Sequence, residues 1–138
     1  EAARVRLLLG RGGHVAVEVR PLPPVPLGPV DVKLVALPVD QSDFRLRHKT
    51  TDRAFYDGAR GRAFEAIFFL PDGRLSEGSF TNLFVEPSQT GLLGGILRNE
   101  LIRQGRACEA ELRADDLKHR FFIGNSLRGL LPARLTEL

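Results

Sequence analysis

The sequence predicts an α+β fold, rich in strands and with three or four short helices. Most apolar runs are short or alternate with polar residues, and Gly, Pro or Asp-Gly turn signals bound them, which is typical of strands. Near residues 50–60 and 96–105 the apolar spacing instead indicates short helices. With 138 residues, 43% of them hydrophobic, the chain can bury one core, so we expect a single domain over residues 1–138.

The first half of the chain is predicted to form strands joined by turns. RVRLLLGRGGHVAVEVRPLP predicts two alternating strands around residues 10–13, and PLPPVPLGPV predicts an extended connector without helix. VKLVALPV predicts a buried strand. A helix should follow, capped by Thr50 or Thr51, with Asp52 at the positive end of its dipole. Lys49 is therefore expected at a strand-to-helix junction.

The second half contains the clearest turn signal. AFEAIFFL and LSEGSFTNLFVE flank a Pro-Asp-Gly turn, which predicts a β-hairpin. LLGGILRNELIRQG predicts a helix that begins after a Gly pair and ends at Gly105. ACEAELRADDLKH predicts a strand and then a short helix, and RFFIGNSLRGLLPARL predicts a final strand pair around a polar bend.

Composition argues against several classes of protein. There is no run of 18 apolar residues, and arginines interrupt the N-terminal apolar stretches, so we expect neither a membrane span nor a secretory signal, and hence a cytoplasmic protein. A single cysteine and three scattered histidines predict no metal site. Nucleic-acid binding is not expected, because the net charge is only +3 and the arginines alternate with acidic residues. A chain without methionine that begins at Glu1 suggests part of a longer protein.

Lys49 is the first candidate for chemistry. The chain has 20 Lys and Arg residues, and only Lys33, Lys49 and Lys118 are lysines. Arginine stays protonated in proteins, whereas a lysine amine can lose its proton on burial and then act as nucleophile or base. The alternative is an ordinary surface lysine. The arginines near Lys49 are interpreted as ordinary surface charges.

Three further features could serve one cofactor. Glu77 lies in LSEGSFTNLF, where a buried carboxylate would need a partner, unless it is solvated. Gly94 and Gly95 precede a helix whose first N–H groups could bind an anion, unless they only form a turn. Ser126 and Arg128 lie in the polar bend of IGNSLRG. An amine, a carboxylate and phosphate donors together are what pyridoxal phosphate requires.

Four stretches, in this order, resemble the fold-type IV pyridoxal phosphate enzymes, which include branched-chain and D-amino acid aminotransferases and aminodeoxychorismate lyase. They are HKTTDRAFYDGA, SEGSFTNLFVE, LLGGILRNELI and FFIGNSLRGLLPARL. HKTTDR and GNSLRGLLPARL most resemble the lyase, including forms fused to aminodeoxychorismate synthase component I. The resemblance implies the larger, C-terminal domain of that fold without its small N-terminal domain. It also implies a small-molecule substrate, a homodimer, and fusion or association with aminodeoxychorismate synthase.

The resemblance assigns a role to each matching residue. It makes Lys49 the covalent anchor of pyridoxal 5'-phosphate and the catalytic base, and Glu77 the partner of the pyridine nitrogen. Phosphate would be bound by the backbone N–H groups of Ile96 and Leu97 and by the Ser126 hydroxyl, and Arg128 is a candidate for a substrate carboxylate. Tyr56 lies seven residues beyond the lysine, whereas the branched-chain enzymes have their cofactor tyrosine five beyond, where this chain has Ala54.

The activity implied is release of pyruvate from 4-amino-4-deoxychorismate, which forms 4-aminobenzoate for folate biosynthesis. One alternative is a branched-chain or D-amino acid aminotransferase with the same site. The other is a non-catalytic half-domain that acts as a subunit interface, which the lack of the N-terminal domain favours.

Overall fold

The computed structural model describes residues 2–86 and 95–136. Within these ranges the chain forms eight strands, two α-helices and two short 3-10 helices, which confirms the α+β prediction. The strands are β1 (Ala3–Leu9), β2 (Val15–Pro21), β3 (Val30–Ala36), β4 (Glu65–Phe69), β5 (Leu75–Gly78), β6 (Asn82–Val85), β7 (Phe121–Asn125) and β8 (Gly129–Leu135). The helices are α1 (Ala54–Arg60) and α2 (Ile96–Arg103), and the 3-10 helices are Phe44–Leu46 and Ala114–Lys118.

Six strands form one mixed sheet in the order β5-β4-β3-β8-β7-β6. β3 lies parallel to both of its neighbours, β4 and β8, while the other neighbours are antiparallel. A parallel pair needs a crossover connection, and between β3 and β4 the chain makes it through α1. Apolar side chains from β3, β4, β6, β7 and β8 form the core, among them Val32, Ile67, Leu83 and Ile123, which are fully buried.

The predicted central hairpin is confirmed in its first half only. β4 and β5 are antiparallel and joined by the Pro-Asp-Gly turn, where Gly73 has a φ of 81° that favours glycine. The stretch LSEGSFTNLFVE does not continue as one strand, however. It divides into β5 and β6, which are the two outermost strands of the sheet, and β6 pairs with β7. Residues 79–81 make this crossing.

β1 and β2 form a separate two-stranded ribbon, as the sequence predicts. Because side chains alternate along a strand, its two faces differ. On the inner face Arg4, Arg6 and Leu8 are half-buried. On the outer face six aliphatic side chains are exposed, namely Val5, Leu7, Leu9, Val15, Val17 and Val19. The connector after β2 contains no helix, as expected.

Two local predictions are wrong. The residue that caps α1 is Arg53, without a side-chain hydrogen bond, and Thr50 instead donates its hydroxyl to the Asp52 carbonyl. ACEAEL forms no strand, because its segment makes only isolated bridges such as Arg74 with Arg113. The helix that ends near Gly105 and the final strand pair are confirmed. None of the helices in the two described ranges is long and apolar enough to cross a membrane.

Candidate active site

One edge of the six-stranded sheet brings several polar segments together. β4 and β8 both run parallel to β3 and therefore begin at the same edge, and β5, antiparallel to β4, ends there. Asn82 at the start of β6 pairs with Gly124, and Asn125 at the end of β7 pairs with Gly129. The segment that follows Glu77 and the bend between β7 and β8 consequently lie along one edge, although they are far apart in sequence.

A cleft of about 1450 Å³ lies between this edge and the inner face of the ribbon. Its charge is mostly positive, because seven basic side chains line it against only two acidic ones, Asp52 and Asp57. We call it the basic cleft. Arg4, Arg6 and Arg11 come from the ribbon, and Lys49, Arg53, Arg60 and Arg128 come from the sheet side. A cleft with charges of one sign attracts ligands of the opposite sign, here anions.

Lys49 lies in a loop whose ends are joined by an ion pair. Arg45 contacts Asp43 at 2.7 Å and reaches over the loop to Asp52 at 2.9 Å. The interpretation of Arg45 as an ordinary surface charge is therefore wrong, because it closes the loop that carries the lysine. The Lys49 side chain lines the basic cleft and forms no hydrogen bond or ion pair with any residue of the described ranges. Its amine is available to a ligand.

Glu77 is half-buried and shares a hydrogen bond with Tyr56, whose hydroxyl donates to Glu77 Oε1 over 3.3 Å. Burial raises the pKa of Glu77, while the hydrogen bond from Tyr56 and the positive charges of Arg53 and Lys49 act against that rise. Burial is the largest of these influences on the pKa of Glu77, and the charge of Lys49 is the smallest. Burial is also the main cause that raises the pKa of Tyr56, to about 12, and the negative charge of Glu77 adds to it.

Arg53 connects α1 to the segment after Glu77. Its guanidinium donates a hydrogen bond to the Ser79 carbonyl and lies 4.5 Å from the centre of the Tyr56 ring. Arg53 also attracts the Glu77 carboxylate, which opposes the rise that burial causes in the pKa of Glu77. The interpretation of Arg53 as an ordinary surface charge is wrong as well, because this side chain is part of the surroundings of Glu77.

The sequence analysis missed Glu65, which is fully buried and organises the segment after Glu77. Its two carboxyl oxygens accept hydrogen bonds from the backbone of Ala66, Ser79 and Phe80 and from the hydroxyls of Ser79 and Thr81. The contacts span 2.5 to 3.2 Å. The available signal was a glutamate at the start of the apolar run EAIFF, where a buried carboxylate must find donors.

The two halves of the predicted phosphate site come from different elements. α2 begins at Ile96, and its first N–H groups, including those of Ile96 and Leu97, have no acceptor within the helix. Its capping residue Gly95 lies against Asn82, because a Cβ at Gly95 would overlap the Asn82 Oδ1 atom. Asn82 is in turn paired with Gly124, close to the exposed Ser126. Gly94 lies outside the described residues.

Arg128 lies on a pair of aromatic rings at the cleft wall. Its guanidinium is 5.4 Å from the centre of the Phe64 ring and 5.5 Å from that of Phe80. The Arg60 guanidinium lies 5.3 Å from the centre of the Phe80 ring and donates a hydrogen bond to the Ser79 hydroxyl at 3.1 Å. Within residues 2–86 and 95–136 Arg128 forms no ion pair, so its charge is available to an anion in the cleft.

The structure thus gathers some predicted site residues more closely than others. Lys49 and Arg128 line the basic cleft directly, whereas Glu77 does not line it and is affected by the charges of Arg53 and, more weakly, Lys49. Ser126 does not itself line the cleft, although its neighbours Asn125 and Leu127 do. Ile96 and Leu97 also lie outside the lining and are connected to this edge through the contact of Gly95 with Asn82.

Known proteins share both sequence and fold with this chain. The family described as Amino-transferase class IV matches residues 1–135. A provisionally named amino-acid aminotransferase from Mesorhizobium loti is 36% identical with a TM-score of 0.85, over 97% of this chain and 73% of that chain. A provisionally named branched-chain amino acid aminotransferase from Thermotoga maritima is 23% identical, with a TM-score of 0.79. The match covers 98% of this chain and 57% of that chain. A provisionally named 4-amino-4-deoxychorismate lyase is 26% identical, with a TM-score of 0.75. The match covers 98% of this chain and 62% of that chain.

No curated protein is similar enough to match the chain. The chain spans 57% of the Thermotoga protein, 62% of the lyase and 73% of the Mesorhizobium protein, so these structures contain further residues that it does not match.

Proposed function

This chain belongs to the class IV aminotransferase family, and we propose that it is a pyridoxal-phosphate-dependent 4-amino-4-deoxychorismate lyase that releases pyruvate and forms 4-aminobenzoate. Family membership confirms the resemblance to the fold-type IV enzymes and their strand-rich α+β fold. The family depends on pyridoxal phosphate, which makes this cofactor the expected one.

One observation carries the proposal: Lys49, which has no hydrogen-bond or ion-pair partner among residues 2–86 and 95–136, lines a basic cleft, and its charge acts on the half-buried Glu77. These groups fit pyridoxal phosphate. Burial raises the pKa of Glu77, which means that its surroundings disfavour the negative charge. A protonated ring nitrogen would supply a nearby positive charge and favour that carboxylate. The seven basic side chains of the cleft also suit an anionic cofactor and substrate.

Residues of this chain would divide the work between binding and proton transfer. When bound, pyridoxal phosphate supplies a carbonyl for the amine and a ring that accepts the electron pair left by the departing proton. Lys49 would hold the cofactor covalently and, once displaced by the substrate amine, would take the proton from the carbon that bears nitrogen. Glu77 would keep the proton on the pyridine nitrogen. Ile96 and Leu97, through their N–H groups, and Ser126, through its hydroxyl, would bind the phosphate.

Arg128 would orient the substrate by pairing with one of its carboxylates. Its guanidinium is already held over Phe64 and Phe80 and needs little further ordering to accept such a partner. Contacts of this kind select the substrate and align the reacting carbon with the Lys49 amine, which is the positioning that catalysis depends on.

The lyase is favoured by HKTTDR and GNSLRGLLPARL, the stretches that most resemble that enzyme. The second candidate is an amino-acid aminotransferase, which the 36% identity to the Mesorhizobium protein favours. In that case the substrate would be an amino acid, Lys49 would return the proton to the cofactor carbon, and the product that leaves would be an oxo acid. For the longer protein we propose a cytoplasmic homodimer with a small N-terminal domain, fused to or associated with aminodeoxychorismate synthase.

The test begins with cofactor uptake. The protein should develop a visible absorption band with pyridoxal phosphate, which Lys49→Ala and Lys49→Arg should abolish while the far-ultraviolet circular dichroism stays unchanged. Lys118→Arg is the matched control, because Lys118 is exposed and forms an ion pair with Asp115 at 2.7 Å. A protein that never takes up the cofactor would be the non-catalytic half-domain, and both enzyme proposals would fail.

Substrate assays then separate the two enzymes. The lyase should release pyruvate from 4-amino-4-deoxychorismate and form 4-aminobenzoate. Transfer of an amino group to 2-oxoglutarate, without pyruvate release, would contradict the lyase and support the aminotransferase. Arg128→Gln should raise the KM in whichever assay is positive, since it removes a carboxylate partner and leaves Lys49 in place.

A further inference from the structure

Tyr56 is the only tyrosine of the sequence and lies with its ring buried, 5% exposed, on α1. Three neighbours fix the ring. It packs edge-on against Phe68 with 5.6 Å between centroids, lies 4.0 Å from the Phe55 centroid, and is covered by the Arg53 guanidinium. The hydroxyl of a ring held in this way has a defined direction, and it donates to Glu77 Oε1.

Glu77 has a second oxygen that remains open. Its Oε2 atom accepts no hydrogen bond from the residues that the structure describes, although the side chain is half-buried. A half-buried carboxyl group with one oxygen satisfied and the other open is suited to a further donor. We propose that Tyr56 is a positioning residue, which fixes Glu77 through Oε1 so that Oε2 is presented to the ring nitrogen of pyridoxal phosphate. This inference rests on the proposed function.

The position of Tyr56 on α1 gives it a different role from a cofactor-binding tyrosine. In the branched-chain aminotransferases the cofactor-binding tyrosine lies five residues beyond the lysine, a position that Ala54 occupies in this chain, two residues before Tyr56. Successive helix residues are about 100° apart, so Tyr56 leaves the helix about 200° away from Ala54. In agreement with this, Ala54 is exposed while Tyr56 is buried. Tyr56 therefore does not replace the missing tyrosine at the cofactor, and it contacts Glu77 instead.

The surroundings of the pair keep Tyr56 a hydrogen-bond donor to Glu77. Arg53 and Lys49 attract the Glu77 carboxylate, whereas Glu65 repels it. The charges that act on the Tyr56 hydroxyl are those of Glu77, Arg53 and Asp43. Because burial and Glu77 raise the pKa of Tyr56 to about 12, its hydroxyl keeps its proton at neutral pH. The tyrosine can then only stabilise the ionised form of Glu77 by donation.

The first experiment tests the contact without cofactor. Tyrosine labelled with ¹³C at Cζ gives a resonance that Tyr56→Phe removes and thereby assigns. In the wild type this resonance should shift with pH as Glu77 titrates, with a midpoint above the ordinary glutamate value, and in Glu77→Gln it should not shift. If the chemical shift of this resonance does not change with pH in the acid range, or if it changes identically in Glu77→Gln, the inference is overturned.

The second experiment tests the positioning role in the loaded protein. Tyr56→Phe keeps the ring and removes the hydroxyl, so we expect the variant to fold and to bind pyridoxal phosphate about tenfold more weakly, which corresponds to about 1.4 kcal/mol. The pH midpoint of its visible band should also move, because Glu77 is no longer held. Thr136→Val is the matched control: it removes a hydroxyl that bonds the Val32 carbonyl at 3.1 Å, and it should change neither quantity.

The outcomes separate the two proposals. Unchanged affinity and an unchanged midpoint in Tyr56→Phe, with a wild type that binds the cofactor, would refute the role of Tyr56 and leave the proposed function intact. A wild type that binds no pyridoxal phosphate would refute both.

Discussion

Replacing Glu65 by glutamine should destabilise the protein although the side chain keeps its size. Glu65 is fully buried and accepts five hydrogen bonds, three at Oε1 and two at Oε2. A glutamine has one acceptor oxygen and one NH₂ group. If its oxygen takes the Oε1 position, the NH₂ group faces the Phe80 N–H and the Thr81 hydroxyl. The hydroxyl can turn and accept, but the Phe80 N–H cannot.

The cost follows from that one backbone donor. A buried N–H group left without an acceptor destabilises the folded state by about 1–3 kcal/mol, so the free energy of unfolding should fall by at least this amount. The opposite orientation is worse, because the NH₂ group would then face the backbone N–H groups of both Ala66 and Ser79. With a denaturant dependence of about 1–3 kcal/mol/M, the urea midpoint should fall by on the order of 1 M.

Equilibrium unfolding in urea measures this change. Glu111→Gln is the matched control, because the Glu111 side chain is 72% exposed and forms an ion pair with Arg74 at 3.2 Å. Exposed ion pairs contribute little, so the control should stay within about 0.5 kcal/mol of the wild type. If Glu65→Gln unfolds at the same urea concentration as the control, the hydrogen-bond network does not stabilise the segment after Glu77.

Three further substitutions test the electrostatics of the site and the packing of the glycines. Burial raises the pKa of Glu77, so its ionisation costs folding free energy once the pH exceeds the ordinary glutamate value. Glu77→Gln should therefore be more stable than the wild type at neutral pH, and urea midpoints should show that this advantage shrinks as the pH falls; an advantage that grows toward acid pH would contradict the assigned shift. Gly95→Ala should cost about 1–3 kcal/mol and weaken cofactor binding, because its Cβ overlaps Asn82. Gly58→Ala in α1 meets no atom within 4 Å and should instead stabilise by about 0.4–1 kcal/mol, and equal effects of the two glycine variants in urea would contradict the packing argument.

Much of the fold could be predicted because its signals are local. The Pro-Asp-Gly turn, the Gly-rich turn of the ribbon and the polar bend before Gly129 each depend on residues a few positions apart. The alternation of apolar residues similarly predicted most strands. Where the local signal was ambiguous the prediction failed, as in ACEAEL, which forms no strand and whose segment makes only isolated bridges.

The candidate site was only partly predictable for the same reason. Lys49 and Glu77 were predicted because their residue types are unusual in their surroundings and because their motifs resemble a family. The partners of Glu77 could not be found in this way. Tyr56 lies 21 residues before it in the chain, and the hydrogen bonds that Glu65 makes to Ser79 cross 14 residues. No sequence pattern of short period reports contacts over such separations.

The sequence alone determined the local elements, the family resemblance and the first choice of Lys49, since all three depend on residue types and short spacings. Only the tertiary structure decided that β8 lies beside β3, that the chain crosses from β5 to β6 after Glu77, and that Arg45 closes the loop of Lys49. The physical reason is that strand order and buried polar contacts depend on which apolar surfaces pack together and which donors reach a buried acceptor in the folded core. These contacts join residues that are far apart in the sequence, so no short stretch determines them.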